Sequence, residues 1–82
     1  MSQIAPGETA LGGETSIAKR SLAVRGHRTS ISLEAAFWRQ LNHVAKARSL
    51  SLSALVGQID AARGPANLSS AIRVFILQTL VQ

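Results

Sequence analysis

Two histidines and four carboxylates, with no cysteine, are the side chains in this 82-residue chain best suited to acid–base or metal chemistry. Their spacing does not assemble a site. Two of the acids, Glu8 and Glu14, lie in a Gly- and Ser-rich N-terminal stretch, and neither His27 nor His43 has a carboxylate close in sequence. A nucleophile, a base and a group to orient the base therefore have no evident source. The Gly12-Gly13 pair has no strand before it and no Gly-Lys-Ser/Thr after it, so it is not a phosphate loop. No enzymatic activity, metal or cofactor is expected. What remains is charge: all nine Lys and Arg fall in residues 19 to 82, where only Glu34 and Asp60 oppose them, a net +7. So basic a segment implies a polyanionic partner, with nucleic acid first and an anionic membrane surface second.

Residues 27 to 41, HRTSISLEAAFWRQL, supply the sharpest local pattern. Thr29, Ile31 and Leu33 alternate with Arg28, Ser30 and Ser32, the period of a half-buried strand over residues 28 to 33. A single strand must find a partner for its backbone N–H and C=O groups. Nothing else alternates so cleanly, and the rest of the chain reads as helix. Residues 1 to 18 carry Pro6, Gly12 and Gly13 among Gly, Ser, Thr and Glu and are expected to be a disordered tail, leaving residues 19 to 82 as one domain.

From Glu34 the period becomes helical. Phe37, Leu41, Val44 and Ala45 form one face of a helix expected over residues 34 to 48, with Trp38 beside them. A second helix, 51 to 62, opens at a Ser N-cap, either Ser51 or Ser53, buries Leu52, Leu55, Val56 and Ile59, and stops at Gly64-Pro65. Asn67 caps a third, 68 to 81, that is apolar almost all the way round and needs cover on several sides. The expected class is mainly α with one short strand. A domain this small buries only about 60 to 65% of its unfolded surface, so a homodimer is anticipated. The N-terminus lacks the pattern of a secretory leader and no apolar stretch approaches a membrane span, so a cytoplasmic protein with no membrane partner is expected.

One strand, a helix, a Ser-capped turn and a second helix is an order that resembles the ribbon-helix-helix proteins. The resemblance rests on Arg28 to Leu33, Glu34, Phe37, Trp38, Leu41 and Ala45, and on Leu50-Ser51-Leu52-Ser53-Ala54-Leu55. The longer strings RGHRTSISLEAAFW, LSLSALVGQID and NLSSAIRVFIL look like a bacterial subfamily, typical of alphaproteobacteria, with an extra C-terminal helix. Two positions depart from the pattern: Glu34 stands where Ser or Thr commonly caps the first helix, and Ser49 where Gly is common in a left-handed conformation.

The resemblance implies an intertwined homodimer in which the strand pairs antiparallel with its twin from the other subunit, around a core of Ile31, Leu33, Phe37, Trp38, Leu41, Leu55 and Ile59. It also implies sequence-specific binding of double-stranded DNA, by a transcriptional repressor associated with the nucleoid when bound. Such a ribbon fits the major groove, where Arg28, Ser30 and Ser32 would read base edges: Arg grips guanine O6 and N7 with two bonds, and Ser donates or accepts. Ser51 and Ser53 at the second helix N-terminus, with Lys19, Arg20, Arg25 and His27 from the preceding segment, would hold phosphates. Assembly beyond the dimer on DNA is left open.

Residues 19 to 27 pose a conflict, because Leu22 and Val24 have the opposite parity from Ile31 and Leu33. A turn at Gly26-His27 that pairs Arg25 with Arg28 would put them all on one face. Two such hairpins in a dimer, at about 4.8 Å per strand, would exceed the roughly 12 Å groove. The expectation is therefore an arm bent at Gly26. The rival function is a protein-interaction module of antitoxin or adaptor type, in which the apolar third helix docks a protein partner.

Overall fold

Arg25 and Gly26 both have positive φ, 51° and 87°, the signature of a two-residue type I′ turn, whose twist matches that of paired strands. Glycine takes this conformation freely; Arg25 takes it at some cost. The turn joins β1, Ile17–Val24, to β2, His27–Glu34. The computed structural model describes residues 13–81, and after the hairpin come α1, Ala35–Ala47, α2, Leu52–Ala62, and α3, Leu68–Val81.

The expected arm is thus a strand, and the expected lone strand has its partner in the same chain. β1 and β2 run antiparallel, with Val24 opposite His27, Leu22 opposite Thr29, Arg20 opposite Ile31 and Ala18 opposite Leu33. The turn sits one residue earlier than the alternative at Gly26-His27. That shifts the register by two, so every side chain keeps its face. Pairing with a strand two residues away costs far less entropy than recruiting one from another molecule. The width of two hairpins was the reason to expect an arm, yet that objection holds only if both must lie side by side in one groove. Residues 13 to 18 of the expected tail are structured: Gly13 and Glu14 are helical, Ser16 N–H donates to Gly13 O at 3.2 Å, and Glu14 pairs with Arg39 at 2.8 Å. Residues 1 to 12 of the expected tail lie outside the described residues.

Which backbone groups point outward follows from one bond. Ala35 N–H donates to Ser16 O at 2.8 Å, which extends the ladder past its last registered pair and marks 18/33, 20/31, 22/29 and 24/27 as bonded pairs. The alternate pairs, 19/32, 21/30 and 23/28, turn their N–H and C=O to the outer edges. At β2 the outer edge meets α3, where Ser69 Oγ donates to Ser32 O at 3.1 Å. A β2 strand so placed has β1 on one side and α3 against the end of the other.

The hairpin lies over the helices with Val24, Ile31 and Leu33 buried among Trp38, Leu41, Ala45, Leu55, Val56, Ile59, Ile72 and Ile76. Six of the seven residues assigned to a dimer core are closed off within one chain; Phe37, the seventh, is half-buried. Trp38 is almost fully buried, and its indole N–H donates to Ala18 O at 2.9 Å, so its polar atom is satisfied. Glu34 is the N-cap of α1 by backbone conformation but makes no capping bond with its side chain. Helix α1 ends in a Schellman motif: Ser49 N–H donates to Lys46 O at 3.1 Å and Leu50 N–H to Ala45 O at 2.8 Å, with Ser49 left-handed at φ 57°. Serine in place of glycine there costs roughly 1 kcal/mol. Of the two serines proposed to cap α2, Ser51 does so, accepting from Ala54 N–H at 3.0 Å, and Asn67 Oδ1 accepts from Ser70 N–H at 2.8 Å to start α3.

The register can be tested by cross-linking, because the chain has no cysteine of its own. Ser21 and Ser30 are directly opposed in a non-hydrogen-bonded pair, where Cα atoms lie about 4.5 Å apart, within disulfide range. A Ser21→Cys/Ser30→Cys protein should oxidise to a monomeric intrachain disulfide on denaturing gels, while Ser30→Cys alone stays uncross-linked. If the Ser21→Cys/Ser30→Cys protein gave only covalent dimers and no intrachain disulfide, the intrachain pairing would be overturned.

Candidate nucleic-acid interface

A two-stranded sheet with one face on a core has one face left for solvent, and here that face is chemically consistent. From β2 it carries Arg28, Ser30 and Ser32; from β1, on the opposing rungs, it carries Ala23, Ser21 and Lys19. All six are exposed. The last rung pairs Ile17 with Glu34. The face thus presents two cations, three hydroxyls and one methyl group, and its only acid lies at the end farthest from the turn.

The other proposed phosphate ligands are dispersed. Arg20 is on the inner face opposite Ile31, with its guanidinium 5.1 Å from the centre of the Trp38 ring, a stacking contact that occupies its flat surface. His27 shares that parity, opposite Val24, and is exposed beside the turn. Arg25 is in the turn itself and its Nη1 donates to Asp60 at 3.4 Å, which fastens the turn to α2. Ser51 and Ser53 stand together at the start of α2, with the Ser51 hydroxyl already engaged as a cap. The hairpin therefore gathers Arg28, Ser30 and Ser32 with Lys19, and sets Arg20, Arg25 and His27 apart from them. Ser21 and Ala23 escaped the sequence reading, as did Lys19's position on the face; a hairpin in either register, in place of the expected arm, would have given their parity.

The described acids are all neutralised by arginines. Glu34 accepts from Arg73 Nε at 3.0 Å and from its Nη2 at 3.5 Å; Asp60 accepts from Arg63 Nε at 2.6 Å as well as from Arg25; Glu14 pairs with Arg39. The Glu34 carboxyl is held below its usual range by a backbone N–H bond and then by Arg73, against an opposing effect of burial. Asp60 is likewise lowered, first by the Arg63 hydrogen bond and with help from Arg25. Lys19 and Arg28, by contrast, make no ion pair with any acid among the described residues. Among the described residues, four of the nine basic side chains pair with acids, and the two cations on the outward face of the hairpin are not among them.

Set beside known proteins, residues 17–80 match the family model described as the ribbon-helix-helix domain. A solved structure, that of an uncharacterized protein from Bordetella pertussis Tohama I, is similar at 27% sequence identity with a TM-score of 0.74, over 94% of this chain and 68% of the other. No curated protein matches.

The two lowered carboxyls fix a pH dependence. Because the folded state lowers both, their pairing contributes fully above the ordinary carboxylate range near pH 4 and is lost as pH falls through the still lower folded values. Wild-type Tm should fall on acidification from pH 5 to pH 3. Glu34→Gln should melt lower than wild type at pH 7 yet lose less over that interval; parallel melting curves for the two proteins would show that the Glu34–Arg73 pair carries none of the effect.

Proposed function

Because the chain belongs to the ribbon-helix-helix family, a family of DNA-binding regulators, we propose that it binds duplex DNA in a sequence-specific manner and represses transcription by occupying its operator. The outward face of the β1–β2 hairpin is the reading surface. The observation that carries this is an exposed Arg28 with no acid to neutralise it among the described residues, in line with Ser30 and Ser32 on a two-stranded ribbon. Two strands about 4.8 Å apart fit a major groove roughly 12 Å wide. Arg28 supplies the two-pronged grip on a guanine, and the serines adapt to the bases beside it. The α2 N-terminus, with Ser51 and Ser53, would add a phosphate contact through free backbone N–H groups.

Recognition by a dimer would double this surface. Helix α3 buries Ile72 and Ile76 but leaves Val74, Leu77, Leu80 and Val81 between 51% and 74% exposed, and a shallow apolar groove runs from Leu77 and Leu80 to Phe37. Apolar side chains clustered this closely on a small protein mark a face that is covered in use. A second copy would cover it symmetrically and present two hairpins to two half-sites. The same stripe supports the second reading, a docking face for a different protein. No helix among the described residues is long and apolar enough to cross a membrane; the functional setting proposed is the bacterial cytoplasm, on the nucleoid.

Two measurements test this reading. Arg28→Ala should cost about 1 to 3 kcal/mol on the preferred duplex and relax preference at one position of each half-site, with Tm unchanged. A folded Arg28→Ala protein that keeps its site preference would remove the hairpin as the reading surface. In sedimentation, wild type should be a dimer and Leu77→Lys a folded monomer with weaker DNA binding. A wild-type monomer that still reads DNA would leave α3 to a different partner.

A further inference from the structure

We infer that Asp60 is a stand-in for a DNA phosphate: it holds the Arg25 guanidinium against α2 in the free protein and yields it to the DNA backbone when duplex binds, while Arg63 keeps the acid paired. The inference rests on the DNA-binding function proposed above and goes beyond it in giving Asp60, which lies on α2 rather than on the hairpin, a part in that binding. It starts from an imbalance. Two arginines share this one carboxylate, Arg63 through Nε at 2.6 Å and Arg25 through Nη1 at 3.4 Å. The first bond is short, and the second is near the limit of a hydrogen bond. Arg63 also donates to the Ala66 carbonyl, and its side chain is 35% exposed against 57% for Arg25. The Asp60 carboxyl is lowered first by Arg63 and last by Arg25. Asp60 is thus neutralised without Arg25, and the two arginines with their one acid carry a positive charge in excess.

Backbone and position make Arg25 the arginine to be released. It takes φ 51° at the first central position of the turn, a conformation that suits Gly, Asn or Asp and costs an arginine. A long contact between exposed groups returns little of that cost, and strain kept at one residue points to a task for its side chain. The Arg25 stem lies across α2 at Gly57, where an added Cβ would meet Arg25 Cγ at 3.6 Å, so the guanidinium can swing while the turn stays seated. Arg28 follows three residues later on β2, and a hairpin that puts Arg28 into a major groove roughly 12 Å wide leaves its turn within side-chain reach of the phosphates that wall the groove. Asp60 stands nine residues beyond Ser51, the α2 N-cap, about 13 Å along the helix. The phosphate met by Arg25 is therefore a different one from that proposed for the α2 N-terminus. Carboxylate and phosphate offer a guanidinium the same pair of oxygens, and because Arg63 stays behind, the exchange strands no acid.

The test measures affinity against salt for the full-length wild type, Asp60→Asn, Arg25→Ala and the double variant, on the duplex that wild type selects from a random pool and on an unrelated one. Asp60→Asn should bind both duplexes tighter, roughly two- to fivefold per chain, and select the same sequence as wild type. Arg25→Ala should weaken both and flatten the slope of log K against log salt by about one per chain. The double variant should behave as Arg25→Ala, because the gain passes through Arg25. A gain that persists in the double variant would belong to Arg63 or to net charge, and a loss from Asp60→Asn in a protein that melts normally would make Asp60 a residue that aims Arg25; either result overturns the inference. So does an Arg25→Ala protein that binds as wild type does, with Arg28 and the proposed function left standing. Should Asp60→Asn fail to fold, arginine side-chain NMR of the wild type decides: added duplex should shift the Arg25 guanidinium signals while the Arg63 Nε–H signal stays, and an unmoved Arg25 overturns the exchange. If wild type binds no duplex, the DNA-binding reading itself has failed and this one goes with it.

Discussion

The antiparallel pairing of β1 with β2 across a two-residue turn is the constraint on which the rest of this structure depends. Strand side chains alternate with a period of two, so this one register decides at once which residues enter the core and which face outward. With Arg20 opposite Ile31 and Ala18 opposite Leu33, the apolar residues of both strands fall on the helices and the cations and hydroxyls of the outer face fall together. A slip of one residue in either strand would bury its polar set. The pairing is fixed at both ends: at the turn by Arg25 and Gly26 in positive φ and by the Arg25–Asp60 contact, and at the open end by the Trp38 indole on Ala18 O and the Ala35–Ser16 bond. The hairpin is thereby clamped to α1 and α2 as well as held by its own ladder.

Helix α3 completes what the hairpin starts. Its first turns lie against the end of β2, where Ser69 takes an outward carbonyl and Arg73 takes Glu34. One consequence concerns edges: an unpaired strand edge invites further strands, and a helix against it limits that hazard. Another concerns charge. Glu34 is the only acid on the outward-facing register, and Arg73 cancels it where it stands, so the open end of the hairpin carries no uncompensated negative charge. Arg63 and Arg25 do the same for Asp60. A helix that the sequence marks chiefly as apolar therefore also shapes the electrostatics of the hairpin.

Much of this was legible in the residues. The alternation of Thr29, Ile31 and Leu33 located β2, Ser51 and Asn67 marked two helix starts, and Ser49 stands in the left-handed conformation that its place in the family pattern required. Each is a local signal, readable within a few residues. Residues 19 to 27 were misread for a physical reason. Leu22 and Val24 pointed to a hairpin, but Arg is a poor advertisement for a type I′ turn, and the assumption that the strand must pair with a second molecule made the hairpin look too wide. The Glu34–Arg73 and Arg25–Asp60 pairs join residues 39 and 35 positions apart, and no periodicity reveals a contact at that separation. Lys19 and Ser21 share the outward face in either register of a hairpin, and only the expectation of an arm hid them.

An intrachain ribbon changes what a dimer is for. When a ribbon is built from one strand of each subunit, dimerisation and formation of the reading surface are a single event, and a substitution that weakens one weakens the other. In this chain a two-stranded hairpin forms within the protomer, and the exposed apolar stripe lies on α3. If a second copy covers that stripe, α3 sets only the distance and angle between two finished ribbons, and so the spacing of half-sites rather than their sequence. The energetic consequence is additive in form. On the proposed reading, residues on the hairpin face would set affinity for each half-site and residues on α3 the fraction of chains able to use two at once, and groups so far apart with no shared partners couple weakly. Such a division lets site preference and assembly change independently, which a ribbon shared between subunits does not allow.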